Sequence, residues 1–238
     1  DTVHQLRALW SLHAILRNSG SVLWEKLSHP NEHIRAWAVR LLSETWALDT
    51  VMSETPRYAG VRLGAGAAPD PNLLKTLERM AKSDPSALVR LALASTLQRL
   101  PITQRTSLAA ALVAHKEDTA DHNLPALIWY GLIPVAESLP GELPKLAHVC
   151  ELPLTRRLIA RRLAEDIEKQ PAHVNNLLLL AAAKGETFQS DILSGLADGL
   201  AGWRKATKPS AWDAFAKLIE KSTSTALRDR VRDLSVVF

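Results

Sequence analysis

The 238-residue sequence has one cysteine and no long apolar run, and these shortages exclude several classes of protein. The single cysteine, Cys150, rules out an internal disulfide and a cysteine-rich zinc site. The longest charge-free stretch in the middle of the chain, Leu124 to Ala136, is shorter than the roughly 18–20 residues that a membrane-spanning helix needs. No signal-peptide pattern follows Asp1, so we expect a mature chain or a part of a longer one.

The charge balance leaves the choice of partner open. The net charge is +4, from 29 basic and 25 acidic residues, which permits a nucleic-acid partner without requiring one. Hydrophobic residues make up 47% and charged residues 23% of the chain, as in ordinary globular proteins.

Apolar residues recur at helical spacing along nearly the whole chain, as in Leu6, Leu9 and Leu16. No alternating run bounded by turn residues indicates a strand. Prolines stand at the expected helix starts, where a missing N–H costs nothing: Pro30, Pro71, Pro85, Pro101, Pro153 and Pro171. We therefore predict an all-α protein of about twelve helices, with a long Gly-, Pro- and Ala-rich loop at about residues 54–71.

Two segments, 29–38 and 84–93, share a pattern. In each, a β-branched residue stands four positions after a proline and is followed directly by an arginine, Arg35 or Arg90. The pattern resembles the HEAT repeat, a helical hairpin that buries its apolar face by stacking on its neighbours. The resemblance implies a HEAT-like right-handed solenoid of antiparallel helix pairs, an α-α superhelix. We expect a single domain over residues 1–238, with less regular repeats after about residue 170.

Four arginines are predicted to hold the repeats together. Arg35 and Arg90 lie at the edge of the apolar stripe of their own helices. Arg156 and Arg162 belong to one further helix and lie on its apolar side. Arginines in such places need partners, so we expect ion pairs between repeats, with an anion pocket as the alternative for Arg156 and Arg162.

The densest polar segment, residues 115–123, offers candidate metal ligands in His115, Asp118, Asp121 and His122. Their spacing matches neither a His-Glu-x-x-His site nor an EF-hand loop. A helix cap by Asp121 or Asn123 is the favoured interpretation. The helix that follows is apolar all round, which predicts a central position with Gly131 at a close helix contact and Pro134 ending or kinking the helix.

No nucleophile motif is present, so we predict no catalytic residue and no cofactor held by this chain. Several phrases nevertheless resemble the helical middle region of large exported haem-binding proteins of planctomycetes and verrucomicrobia, often labelled membrane-bound dehydrogenase-like. They are residues 6–13, 33–42, 91–101, 115–134 and 156–163. In that family a β-propeller precedes the region and a c-type cytochrome module follows it. This chain has no Cys-x-x-Cys-His, so the resemblance implies a connecting region without haem of its own.

Two functions from different classes follow. The first is a scaffold or protein-interaction module, periplasmic or otherwise exported, that binds neighbouring domains or another protein. For this module we expect neither membrane insertion nor a nucleic-acid partner. The alternative is a HEAT-like DNA glycosylase, with Asp121 and Trp129 in the roles of acid and base-contacting aromatic, or another nucleic-acid-binding repeat protein. A regulatory adaptor is a third possibility that the composition does not separate from the first.

Overall fold

The computed structural model describes residues 1–16, 19–49 and 69–238. Within these ranges it contains thirteen α-helices, three short 3₁₀ helices and no strand, which confirms the predicted all-α fold. Most of the loop predicted at 54–71 lies outside the described residues. The α-helices are α1 (Thr2–Ile15), α2 (Gly20–Lys26), α3 (Glu32–Ser43), α4 (Pro71–Ser83), α5 (Ala87–Thr96), α6 (Ile102–Leu112), α7 (Leu124–Ser138), α8 (Leu143–Val149), α9 (Pro153–Glu165), α10 (Pro171–Ala182), α11 (Glu186–Gly199), α12 (Trp212–Ile219) and α13 (Thr225–Val237).

The predicted prolines mark the helix starts to within two residues. Three of them are the first residues of their helices: Pro71, Pro153 and Pro171. The other three stand one or two residues ahead of a helix: Pro30, Pro85 and Pro101. The caps of α3 and α5 are Asn31 and Ser86, whose side chains accept backbone N–H groups of the first helical turn.

The helices divide into two compact units, one of residues 1–112 and 121–134 and the other of residues 113–120 and 135–238. In the first unit α3 packs against α1, α2 and α5, and α4 packs against α5 and α6. Part of its core is a cluster of Leu9, Leu23, Ile34 and Leu41, against which Trp37 packs. Of the stripe read in α1 and its end, Leu9 is in this cluster and Leu6 packs against it, whereas Leu16 is exposed.

In the second unit each helix packs against the next helix but one. One series is α8, α10 and α12, and the other is α9, α11 and α13. The helices α9 and α11 approach closely because α11 has Gly195 and Gly199 on the shared face. A Cβ atom at Gly199 would lie 2.5 Å from the carbonyl oxygen of Arg161, and one at Gly195 would clash with the carbonyl oxygen of Arg157.

The helix α7 confirms the expected close contact at Gly131 and excludes one of the two alternatives for Pro134, that it ends the helix. A Cβ atom at Gly131 would lie 2.5 Å from the Cβ of Leu97, so Gly131 is at the predicted close contact. Pro134, however, lies inside α7, which runs on to Ser138, so it does not end the helix. In the turn before Pro134, the carbonyl oxygen of Gly131 accepts a hydrogen bond of 3.0 Å from Arg105.

Candidate functional site

Arg35 forms a two-point ion pair with Asp84, the residue that directly follows α4 as its C-cap. Its Nε and Nη2 atoms each donate to a carboxylate oxygen at 2.8 Å, and Nη1 donates to the carbonyls of His29 and Pro30 at 2.9 Å. The hydrogen bonds that the guanidinium donates to Asp84 raise the pKa of Arg35 above its ordinary value. The guanidinium therefore joins the turn before α3 to the turn before α5.

Arg90 is buried in the same part of the first unit. Its Nη1 atom donates to the backbone carbonyl of Asp84 at 2.8 Å. Asp84 thus accepts Arg35 through its carboxylate and Arg90 through its main chain. The hydroxyl of Ser86, the cap of α5, donates to the carboxylate of Glu32 at the start of α3, which adds a second contact between the same two helices.

Arg156 has the corresponding position in the second unit. Its Nε and Nη2 atoms donate to the carbonyl of Cys150, and Nη1 donates to the carboxylate of Asp191 on α11 at 2.5 Å. Its guanidinium lies 4.5 Å from the centre of the Phe188 ring, also on α11. Arg156 therefore links α9 to α11 through an ion pair with Asp191 and a cation–π contact with Phe188.

Arg162 differs from the expectation. Its Nη1 atom lies 2.7 Å from the carboxylate of Asp166, the C-cap of α9, and 3.9 Å from that of Glu165, the last residue of α9. Residues three and four positions apart are neighbours on a helix surface, so this arginine finds its carboxylates on its own helix. These contacts stabilise the end of α9 and do not reach a second helix.

A common geometry underlies these arginines. In four helices the fourth residue is an arginine that donates to the carbonyl six residues earlier, in the turn that leads into the helix. These residues are Arg35, Arg90, Arg156 and Arg228. Arg105, the fourth residue of α6, does the same to Leu100, five residues earlier, and its Nη2 atom also binds Asp49 at 2.7 Å. Sequence reasoning missed Arg105 and Arg228, although their position four residues into a predicted helix is a signal that would have found them.

The polar segment 115–123 caps a helix and makes local pairs. Asp121 accepts backbone N–H groups of Leu124 and Asn123 at 2.7 and 2.8 Å, as the capping interpretation predicts, and these bonds lower the pKa of its carboxyl group. His115 Nδ1 lies 2.7 Å from the carboxylate of Glu117. Asp118 is buried. Within the described ranges the structure forms no group of three or more His, Cys, Asp or Glu side chains that could hold a metal ion.

His122, another of the candidate metal ligands, instead lines an open groove in the first unit. The groove has a volume of about 530 Å³ and lies where α3, α5 and the first turns of α7 come together. We call it the α3–α5–α7 groove. It is lined by Arg40, Leu91, Ser95, His122, Asn123, Ala126, Leu127 and Tyr130.

Two large side chains on this groove are free to meet a partner. Tyr130 is 49% exposed, and Arg40 is also exposed. The guanidinium of Arg40 lies 5.3 Å from the centre of the Trp37 ring, which itself meets the ring of Trp10 edge to face with a centroid distance of 4.8 Å. The groove therefore adjoins a row of two tryptophans and an arginine, residue types that are enriched at the centres of protein interfaces.

The single cysteine is not one of the groove residues and is shielded from solvent. Cys150 is buried in the second unit, and its thiol lies 3.3 Å from the carbonyl oxygen of Leu152, to which it donates. Burial raises its pKa to about 11, so the thiol stays protonated near neutral pH.

Comparison with known proteins identified no similar protein. Neither a protein family, nor a curated protein, nor a solved structure matches the chain. No helix within the described residues has the length and apolar character to span a membrane.

Proposed function

We propose that this chain is a non-catalytic helical-repeat module that binds another protein through the α3–α5–α7 groove. The observation that carries the proposal is a contrast among the arginines. Arg35 and Arg156 each bind a carboxylate inside their unit, whereas Arg40 is exposed beside a groove whose lining includes no acidic residue. An exposed arginine next to an exposed tyrosine is typical of the few side chains that supply most of the affinity of a protein interface.

The proposal includes the arrangement of the helices as a right-handed, HEAT-like superhelix of antiparallel helix pairs. It is supported by the packing of each helix on the next but one in the second unit, and of α3 on both α1 and α5 in the first. The recurrence of an arginine at the fourth helical position also supports it, because a repeated contact of this kind is expected where similar hairpins stack.

The partner that we propose is a neighbouring domain of a longer chain or a separate protein. The support for a particular setting is the resemblance of segments such as residues 115–134 to exported haem-binding oxidoreductases. In that setting the module lies in the periplasm or otherwise outside the cytoplasm. It holds its neighbours in position and binds no haem itself.

The geometry favours a protein partner over DNA. Asp121, the acid that a glycosylase of this type would use, is engaged with two backbone amides at the start of α7. Trp129 is half-buried in the same helix. Among the eight groove residues one, Arg40, is a Lys or Arg. A surface that binds duplex DNA places several Lys and Arg side chains against the phosphates.

A photo-crosslinking experiment tests the proposal. Tyr130 is replaced by p-benzoylphenylalanine, and the variant is irradiated in an extract of the source cells. The matched control carries the same group in place of Leu179, which is 58% exposed in the second unit. We expect a defined protein adduct from position 130 that is absent from position 179.

The crosslinked protein is then purified and titrated against the unmodified chain by calorimetry. We expect Tyr130→Ala to weaken binding by about tenfold, because an interface loses a central aromatic contact. Identical adducts from both positions, or unchanged affinity of Tyr130→Ala, would contradict the proposed function.

A further inference from the structure

We infer that the α3–α5–α7 groove binds an extended acidic peptide segment that carries a large apolar side chain. The inference deepens the proposed function and rests on it, because it assigns the chemistry of the partner at the same groove. Three features of the groove lead to it: its charge, its apolar floor and its polar rim.

The groove carries a positive charge at Arg40 that no carboxylate pairs with in the described part of the chain. Within the described residues no carboxylate lies within 4 Å of the Arg40 guanidinium, whose interaction there is with the face of Trp37. The carboxylate one helical turn further on, Glu44, is engaged elsewhere, with its Oε1 atom 2.6 Å from His13 Nε2. The eight lining residues include no Asp or Glu, and the nearby carboxylate of Asp121 interacts with His122. A partner that brings carboxylates therefore meets complementary charge.

The floor of the groove accepts an apolar side chain. Leu91, Ala126 and Leu127 are half-buried there, and the ring of Tyr130 is half-exposed beside them. Burying a large apolar side chain against such a surface contributes favourably to binding, since it removes apolar area from water on both partners. The exposed edge of this floor indicates a partner that supplies a Leu, Met or aromatic side chain.

The polar rim indicates that the partner is extended. The side chains of Ser95, Asn123 and Tyr130 make no hydrogen bond within the described part of the chain. An extended segment offers free backbone N–H and C=O groups to such side chains, whereas a helix has already satisfied its own. The three features together therefore favour an extended acidic segment over a helix or a basic partner.

Fluorescence anisotropy with labelled peptides tests the inference on the full chain. One peptide of about twelve residues carries alternating Asp and Glu around a central Phe. A second has Lys in place of every acid, and a third keeps the acids but has Ala in place of Phe. A labelled DNA duplex is the fourth probe. We expect saturable binding of the first peptide, binding weaker by about tenfold for the third, and none of the second peptide or the duplex.

Two variants and a control localise the binding. Arg40→Glu reverses the charge at the groove, and we expect it to weaken the acidic peptide by about tenfold or more. Arg40→Gln removes the charge with little change in size. It replaces Arg40→Glu in the binding measurement if the charge reversal disturbs folding. Arg79→Glu is the matched control, because Arg79 is exposed on α4, is not among the groove residues and gives the same change in net charge. Raising the salt from about 50 to about 200 mM weakens binding in the wild type.

Stronger binding of the lysine peptide or of the duplex would overturn the inference, and so would no binding of the acidic peptide at about millimolar concentration. Equal effects of the Arg40 and Arg79 variants would also overturn it. A dimer of the chain that depends on Arg40 in sedimentation would show that the groove binds a second copy instead. If the peptides fail while the protein crosslinked at position 130 still binds, the inference about acidity is wrong and the proposed function stands. If both fail, the groove is not an interaction site.

Discussion

The carboxylate of Asp84 accepts both ends of the Arg35 guanidinium fork across 49 residues of sequence. The two side chains are 12% and 6% exposed, so the pair is largely removed from water. A buried pair of this geometry is costly to break, because the partner that remains is left as an uncompensated charge. This contact is the most direct link between α3 and the turn that leads into α5.

Replacing Arg35 with Met is expected to lower the free energy of unfolding by about 3 kcal/mol, because Asp84 stays buried without its guanidinium partner. Urea denaturation followed by circular dichroism measures the loss. The double variant Arg35→Met/Asp84→Leu should recover a large part of it, since no buried charge then remains. A loss of less than about 0.5 kcal/mol in the single variant would show that the pair is dispensable.

The glycines of α11 give a second prediction. Gly195→Ala places a methyl group against the backbone of α9, so we expect destabilisation of about 2 kcal/mol or more. Gly185→Ala is the matched control, because nothing lies within 4 Å of the added methyl at the start of the same helix. Thermal unfolding of the two variants should separate them clearly. Equal transition temperatures would mean that α9 and α11 are farther apart than the structure places them.

Cys150 gives a prediction about alkaline pH. Its pKa is about 11 in the folded protein against an ordinary value of 9.0, so the folded state keeps a proton that the unfolded state loses between these values. Stability from this group is therefore complete below pH 9 and falls as the pH rises toward 11, by about 3 kcal/mol in total. Cys150→Ala should show a flatter loss of stability over the same pH range.

The same burial protects the thiol from reagents. At pH 8 we expect the folded protein to react with a disulfide reagent far more slowly than the denatured protein, with the rate governed by opening of the second unit. A fast stoichiometric reaction of the folded chain would contradict the buried position of Cys150.

Asp121 provides a test of capping against catalysis. Asp121→Ala removes the acceptor for the amides of Leu124 and Asn123, and we expect a loss of about 1 kcal/mol of stability. These amides lower the pKa of the carboxyl group below 3.8, so the stabilisation is present at neutral pH and is lost as the pH falls below 3.8 through the lowered value. Asp121→Asn should retain part of the cap. A variant with unchanged stability, together with loss of a base-excising activity on DNA, would support the glycosylase alternative.

Local sequence was sufficient to predict much of this molecule. The spacing of apolar residues predicted helices throughout, because one face of each helix must be buried, and the prolines and capping residues predicted where helices begin. The close contact at Gly131 was also predicted, since a glycine in an otherwise apolar helix favours the approach of a neighbour. The single domain over residues 1–238 stays a prediction, and so do the stacking into a solenoid and the link to haem oxidoreductases.

Long-range packing determined the partners of the charged residues. Arg156 and Arg162 lie on the apolar side of the same helix, yet Arg156 reaches a carboxylate on another helix and Arg162 pairs on its own. Periodicity places a side chain on a face of its own helix, whereas its partner depends on which residue of a distant segment is brought opposite. For the same reason the sequence did not distinguish Arg40 from the buried arginines. Its exposure beside Tyr130 results from how α3, α5 and α7 pack together.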